Sequence, residues 1–352
     1  MSFDLRAILV LATTAVFYLT LLPAKWRQPF LLVGSVVGLF WLQPPLPPRF
    51  AGFWLPALTV GLVVWAWWVT QEQNEDVEEN AGGLRRLAGA LWKARLVLLC
   101  VVLLGLNRFV PVVWRITAGR PPNLLWIGVG ITAVFLPTLF IHPPKSRWGR
   151  TAVFLIILAL FFIIKIEPLQ TSVAALRRTA TSQDVSLASP LDLRWLGYSY
   201  IAFRLLHTLR DSQLGTLPRL SLPEFAIYVL FAPAIIAGPI DRAERFVADL
   251  RQLPALPAWE PNRLAEAGWR ILWGMVKKFA IADTLALGLA LNATAAEQAS
   301  STAGLWLLTY GYALRLYFDF SGYTDIAIGL GLLFGIRLPE NFHAPYLATN
   351  LT

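Results

Sequence analysis

Long apolar runs, separated by short polar or proline-rich breaks, constrain this chain more than any other feature. The hydrocarbon core of a bilayer is about 30 Å thick, and a helix needs roughly 20 apolar residues to cross it. Hydrophobic residues make up 57% of the chain and charged residues only 14%. We therefore predict an all-α, multi-span transmembrane bundle of about 10 to 11 membrane helices. The predicted spans are Leu5–Pro23, Pro29–Trp41, Gly52–Thr70, Leu96–Leu106, Leu124–Ile141, Thr151–Ile166, Pro223–Ile240, Ile271–Leu291 and Leu305–Phe320, with Tyr323–Ile336 and Trp195–Leu209 as weaker candidates.

Basic residues are distributed unevenly between the loops. Lys25 follows the first apolar run, Arg85 the third and Lys145 the fifth, and the net charge is +9. Cytoplasmic loops carry an excess of lysine and arginine, so these loops are placed in the cytoplasm and the N-terminus outside. We predict a multi-pass protein of the cytoplasmic (inner) membrane, whose partner is the lipid bilayer and not nucleic acid.

The distribution of ionisable groups suggests three parts. Residues 1–170 are predicted to be N-terminal transmembrane helices, 171–194 a Ser/Thr-rich loop, and 195–352 a core with many charges inside its spans. Cys100 is the only cysteine and lies within an apolar run, which excludes a disulfide framework or a thiolate metal site. No metal is predicted.

Charged groups inside spans cost at least about 2.5 kcal/mol each at the bilayer centre, so they require pairing, burial in the bundle or contact with water. Arg204, His207 and Asp211 are spaced to share one face of a helix. This spacing fits a proton relay, and it also fits a purely structural cluster near a helix end.

Two adjacent lysines interrupt a later apolar run. Lys277 and Lys278 differ by about 100° around a helix axis, so they are not expected to face the same way. One is predicted to reach the membrane interface and the other the interior. At most one could bind an anionic acyl carrier, and both could act as a topology signal.

The last apolar stretch carries two acids. Arg315 and Asp319 are one turn apart and are predicted to neutralise each other. Ser321 and Asp325 are also one turn apart, but Asp325 has no basic neighbour in sequence and needs a partner on another helix, hydrogen-bond donors or a water-filled cavity. Close helix packing around it is predicted at the small residues Gly329, Gly331 and Gly335.

This stretch also carries a family resemblance. The segment "LRLYFDFSGYTDIAIGLGLLFGIRLPENFHAPYLATN" resembles the signature of the membrane-bound O-acyltransferases, in the branch of the alginate O-acetylation proteins and the D-alanyl transferase of teichoic acids. Three further segments resemble family motifs in the same order: "GYSYIAFRLLHTLRD", "LFAPAIIAGPIDRAERF" and "GWRILWGMVKKFAIAD". Together they cover roughly Trp195 to Thr352.

The resemblance implies a bacterial multi-span enzyme. It would move an acyl group, expected to be acetyl, from a thioester donor to a hydroxyl of an extracytoplasmic polysaccharide or cell-surface sugar. The donor would be acyl-CoA or an acyl carrier protein acting as cosubstrate, with no bound cofactor. An extracytoplasmic acetyltransferase is a further expected partner. Such chemistry needs a base for the hydroxyl and donors for the developing oxyanion.

In the family the base is attributed to a histidine in a segment that follows the quoted signature. We therefore expect this chain to be the N-terminal part of such an enzyme, truncated before the catalytic histidine segment. His142 and His343 do not match the family histidines, so no catalytic residue is named. Two alternatives stay open: a catalytically inactive relative that binds an acyl carrier or partner, and a proton-linked transporter using Arg204, His207, Asp211 and Asp325.

The remaining candidates are expected to shape the site more than to react. Lys277 and Lys278 are the candidates for the carrier side. The candidates for lining the reaction chamber are Asp319, Ser321, Asp325, Asn341, Arg204, His207 and Asp211.

Overall fold

The computed structural model describes residues 5–46, 50–70, 83–111, 114–136, 147–257, 259–342 and 345–347. These residues form α-helices joined by short 3₁₀ turns and irregular segments, with no strand among them, so the all-α prediction is confirmed for this part of the chain. The helices are α1 Leu5–Thr20, α2 Arg27–Trp41, α3 Ala51–Thr70, α4 Gly83–Leu106, α5 Leu124–Phe135, α6 Arg147–Lys165, α7 Glu167–Ala180, α8 Tyr198–Gln213, α9 Leu222–Leu230, α10 Ala243–Gln252, α11 Pro261–Met275, α12 Asp283–Gly288, α13 Ala293–Gln298 and α14 Thr302–Leu333.

The chain divides into two compact units that alternate along the sequence. Unit 1 comprises Met1–Ala24, Ala237–Asp241 and Asp249–Thr352, and unit 2 comprises Lys25–Ile236 and Arg242–Ala248. The division into 1–170, 171–194 and 195–352 follows sequence order instead and stays a prediction. The helix pair with the most extensive packing, α11 with α14, lies in unit 1.

One helix of the described chain has the length and apolar composition of a membrane span. Among the described residues, α3 is the one helix that is long and apolar enough to cross a bilayer by itself. The pair α6 and α7 passes the same test together, with a bend of 96° between them. The apolar helices α1 and α5 are shorter. The lengths and compositions of the described helices therefore do not show the predicted total of about 10 to 11 membrane spans, and that number stays a prediction.

The predicted loop at 171–194 is wrong over its first part, because α7 continues to Ala180. Ala174 and Arg178 are buried on one side of this helix, and Arg178 pairs with the buried Asp192, with Nη2 to Oδ1 at 3.0 Å. The polar composition suggested a loop, but an amphipathic helix with one buried side has the same composition.

The predicted span Pro223–Ile240 is also shorter than expected, since α9 ends at Leu230. The chain leaves the helical conformation at Phe231, because Pro233 has no N–H to donate to the carbonyl of Val229 and its ring would clash with that carbonyl. The helix start is fixed by a capping box in which Ser221 and Glu224 bond each other's backbone N–H.

The two spans predicted at Leu305–Phe320 and Tyr323–Ile336 form one continuous helix, α14. The predicted spans end and begin on either side of Ser321 and Gly322, but both residues are buried within the helix. Gly335, predicted to serve helix packing, instead follows the helix end with φ +82°, a conformation that favours glycine.

Candidate functional site

The candidate site begins with a close crossing of α11 and α14. A Cβ added to Gly274 of α11 would lie 2.6 Å from the carbonyl oxygen of Gly322, and one added to Gly322 would lie 2.8 Å from the carbonyl oxygen of Gly274. In the same way, a Cβ added to Gly329 would lie 2.7 Å from the carbonyl oxygen of Ala267. Only glycine permits this approach, so the packing prediction is confirmed for Gly329 and extends to two glycines that it did not include.

After α11 the helix widens into a π-helical segment, Val276–Ala282. Such segments are rare and occur frequently at functional sites. Here the segment carries both adjacent lysines, and its packing partner is again α14. The crossing therefore brings two lysines of one element close to the two acids of another.

Asp325 is the most enclosed acid of the site, with 5% of its surface exposed. Arg270 donates from Nη1 to Oδ1 at 2.8 Å, and Lys277 donates from Nζ to Oδ2 at 2.6 Å. Each carboxylate oxygen thus has its own cation. Of the three possibilities left open for Asp325, the structure shows the first, basic partners outside its own helix.

Asp319 forms an ion pair with Lys278, and not with Arg315 as predicted. The side chain of Lys278 is 8% exposed, whereas Arg315 is exposed at the surface of α14. A buried ammonium group needs a counter-charge, while an exposed guanidinium is already solvated by water. The buried lysine therefore determines which partner Asp319 takes.

The prediction that only one of the adjacent lysines faces the interior is wrong. Lys277 and Lys278 both reach α14, with side chains 16% and 8% exposed. Their acids are six residues apart on α14, which places them about 9 Å apart along the axis and on different sides of the helix. Two neighbouring lysines that diverge can therefore each reach a different acid.

Two residues beyond the end of α14 extend this network. Glu340 bonds the guanidinium of Arg270, with Nη1 to Oε2 at 3.3 Å, and its side chain is 51% exposed. Asn341 donates from Nδ2 to the hydroxyl of Thr324 at 3.1 Å. The structure thus brings Asn341 to the same helix as Asp319, Ser321 and Asp325. Arg270 and Glu340 were not among the predicted site residues, and no local sequence signal links them.

A further ion pair of unit 1 fixes the chain just after α14. The buried Asp249 accepts the backbone N–H of Arg337 at 2.9 Å and its Nε–H at 3.1 Å. These hydrogen bonds and the charge of Asp249 raise the pKa of the Arg337 guanidinium. The pair holds the segment that leads to Glu340 and Asn341.

Ser321 is buried, with 4% of its surface exposed, and its hydroxyl has no hydrogen-bond partner within the described residues. It lies between the two acids on α14, next to Gly322 at the helix crossing. Buried hydroxyls normally have a partner, so an unsatisfied one at this position requires an explanation.

The other chamber candidates belong to unit 2 and do not form the predicted cluster. Arg204 is 2% exposed and donates to the carbonyl oxygens of Val229 at 3.0 Å and Ala234 at 2.9 Å. His207 is exposed, and no ion pair joins it to Asp211 in the described structure. The broken end of α9 leaves carbonyls without helical partners, and these attract Arg204.

His142 and His343 lie outside the described residues. Within the described residues, no three His, Cys, Asp or Glu side chains converge in a way that could hold a metal ion. The described site consists of ion pairs, the hydrogen bond between Asn341 and Thr324, and the buried hydroxyl of Ser321.

Part of this chain is similar in sequence to known proteins. No family model matches the chain. A Pseudomonas aeruginosa protein named "Probable alginate O-acetylase" is 39% identical over 158 residues, which are 45% of this chain and 29% of that protein. The teichoic acid D-alanyltransferases of Bacillus subtilis and Streptococcus thermophilus are 33% and 34% identical over 164 residues, or 45% of this chain and 40% and 39% of theirs.

The matched 45% of the chain is homologous to alginate O-acetylases and teichoic acid D-alanyltransferases. The resemblance to these two groups of proteins, inferred from the quoted motifs, is thereby confirmed. The alignments cover less than half of the length of each of these relatives. The homologues are named as acyl-transferring enzymes, so the resemblance of this chain is to an enzyme family.

Proposed function

We propose that this chain forms part of a multi-span O-acyltransferase of the bacterial inner membrane. It transfers an acyl group, in our proposal acetyl, from a thioester of CoA or of an acyl carrier protein to a hydroxyl of an extracytoplasmic polysaccharide or cell-surface sugar. The homology to alginate O-acetylases and teichoic acid D-alanyltransferases supports this proposal. An extracytoplasmic acetyltransferase is a proposed partner.

Exposed apolar side chains support the proposed embedding in a bilayer. The first half of α14 exposes Trp306 by 58%, Leu307 by 61% and Leu316 by 59%, whereas its second half is buried. Contiguous exposed apolar surface of this kind marks a site of contact with lipid or with another protein. In a bilayer this half of α14 would face lipid.

The proposed reaction is the transfer of an acyl group from sulfur to oxygen. The hydroxyl oxygen of the acceptor attacks the thioester carbonyl carbon, the new C–O bond forms, the C–S bond breaks, and the hydroxyl proton passes through a base to the departing sulfur. We assign no described residue as that base. In our proposal Asp319, Asp325 and Asn341 shape the reaction chamber, and Lys277 and Lys278 hold the two acids in place on the carrier side.

The observation that carries the site assignment is the double pairing of buried Asp325 with Arg270 and Lys277. A carboxylate held by two cations keeps α11, the π-helical segment and α14 in one arrangement. Preorganised geometry of this kind is what an acyl-transfer site requires, since small displacements reduce the rate strongly.

The test uses membranes that contain the natural protein to which this sequence belongs. They are incubated with acetyl-CoA labelled in the acetyl group and with alginate as acceptor, and alkali-labile label on the polysaccharide is counted. We expect label above that of membranes without the protein, and a large loss of label in the Asp325→Asn variant. The matched control is Asp283→Asn, which alters an exposed carboxylate next to the π-helical segment. Equal label with and without the protein, across acetyl and D-alanyl donors and across alginate and teichoic acid acceptors, would contradict the proposal.

A further inference from the structure

Unit 2 contains an apolar cavity of about 320 Å³ between α3, α4 and α5. Its walls consist only of apolar residues and glycine, including the rings of Phe53, Trp54, Trp65 and Phe135. The indole N–H of Trp65 is already bonded to the carbonyl oxygen of Val134 at 2.6 Å, so it offers a ligand no free donor. The volume lies within the range of small-molecule sites, and the lining suits hydrocarbon.

The cavity is elongated. Its lining follows α3 from Phe53 to Trp65, which at 1.5 Å per residue is about 18 Å. Leu58 and Ala133 both line it and are both exposed, so it reaches the surface of the unit along its side. A long, narrow, side-opening apolar space fits a linear alkyl chain better than a compact ring system.

A cation lies near one end of the cavity. The middle of α4 lies beside the end of α3, since Lys93 Nζ is 6.0 Å from the centre of the Trp67 ring. Arg95 lies one turn before Leu98, which lines the cavity. The guanidinium of Arg95 rests on the ring of Trp92 at 4.0 Å and is exposed, with no carboxylate paired to it in the described structure. Such a group meets anionic headgroups at a membrane surface.

We propose that this cavity binds one acyl chain of an anionic phospholipid, with the headgroup phosphate at Arg95. The chain lies along α3 against the rings of Trp54 and Trp65, and the charge of Arg95 selects an anionic headgroup over a zwitterionic one. The inference rests on the proposed embedding in a bilayer, but it concerns a site in unit 2 that the acyl transfer does not use.

The test places the natural protein in phosphatidylcholine nanodiscs with a minor fraction of a photoreactive lipid. The probe is phosphatidylglycerol or phosphatidylcholine carrying a diazirine near the end of one acyl chain. After photolysis, labelled peptides are identified by mass spectrometry. We expect labelling concentrated on the cavity walls of α3 and α5, and stronger labelling by phosphatidylglycerol than by phosphatidylcholine.

Three variants separate the parts of the proposal. Arg95→Gln should remove the preference for phosphatidylglycerol and leave the labelled positions unchanged. Ala133→Phe fills the opening and should reduce labelling of the walls by both lipids. Val129→Phe enlarges an exposed side chain of α5 that does not line the cavity, and it should leave labelling unchanged.

Three results would overturn the site. Labelling spread evenly over all exposed apolar helices, α14 included, would overturn the cavity site while leaving the bilayer embedding in place. Wall labelling that persists in Ala133→Phe would do the same. Complete absence of lipid labelling would overturn the embedding and the site together.

Discussion

At the scale of single residues, Asp325 forms two of the ion pairs of unit 1. Its two oxygens each pair with one cation, Arg270 of α11 and Lys277 of the π-helical segment, and its own side chain is 7% exposed. Removing one partner of a buried charge pair leaves an uncompensated charge, which costs more than the pair contributes. The stability of the helix crossing should therefore depend on this one carboxylate.

We expect Asp325→Leu to lower the stability of the protein by about 3 kcal/mol, because Arg270 and Lys277 lose their shared partner. The measurement is the thermal unfolding midpoint in detergent. The exposed Asp283→Leu serves as control and should shift the midpoint little. Equal midpoints for the two variants would show that the pairing at Asp325 contributes nothing measurable.

Ser321 should behave in the opposite way. Its hydroxyl is buried without a partner among the described residues, so Ser321→Ala removes an unsatisfied group and should leave stability unchanged or raise it by about 1 kcal/mol. Thr324→Ala, on the same helix, deletes the acceptor of Asn341 and should lower stability by a similar amount. A loss in acyl transfer by Ser321→Ala without a loss in stability would indicate that the hydroxyl contacts substrate.

At the scale of elements, the crossing of α11 and α14 depends on glycine where the two backbones touch. Alanine favours a helix over glycine by about 1 kcal/mol, so a clash at the crossing can be separated from helix propensity. The chain offers a matched pair for this purpose, since Gly274 and Gly268 lie on the same helix. A Cβ on Gly268 would meet no atom within 4 Å.

We expect Gly274→Ala to destabilise the protein by about 2 kcal/mol, because the new methyl group would lie 2.6 Å from the Gly322 carbonyl oxygen. Gly268→Ala should instead raise stability by about 0.5 to 1 kcal/mol. Both are measured as unfolding midpoints under identical detergent conditions. If Gly274→Ala were as stable as Gly268→Ala, the helices would not be in backbone contact.

Elements were predictable from the sequence wherever the signal is local. The apolar runs that begin near Leu5 and Gly52 correspond to α1 and α3, since burial of apolar residues and helical periodicity are both local properties. The partners of the acids were not predictable. Lys278 and Asp319 are separated by 41 residues, and Arg270 and Asp325 by 55. Only the packing of two helices brings such residues together, so the nearby Arg315 was preferred as a partner for Asp319 in error.

Breaks were the least predictable local feature. A Ser-Gly pair interrupts many helices, yet α14 continues through Ser321 and Gly322 because the glycine is needed for packing against α11. Conversely, the apolar run around Pro233 looked continuous, and the chain leaves the helix before it. Packing against α11 decided the first case, whereas a single proline decided the second.

At the scale of the whole molecule, the central prediction concerns the bilayer. If the proposed multi-span arrangement is correct, the natural protein should stay in the membrane pellet after extraction with alkaline carbonate, because apolar helices embedded in lipid resist the change of charge at the surface. Release into the supernatant would indicate peripheral attachment. A known multi-pass protein and a known peripheral protein of the same membrane provide the two reference behaviours.

The ion pair between Lys278 and Asp319 also bears on how this chain can change over evolutionary time. Loss of one partner leaves a buried charge without a counter-charge. Replacing both partners with uncharged side chains of similar volume can leave the stability almost unchanged. These two positions should therefore vary together among relatives, either both charged or both neutral. Asp325 serves two cations at once, so a neutral residue there would require two compensating changes. Its position should accordingly tolerate the least variation of any acid on α14.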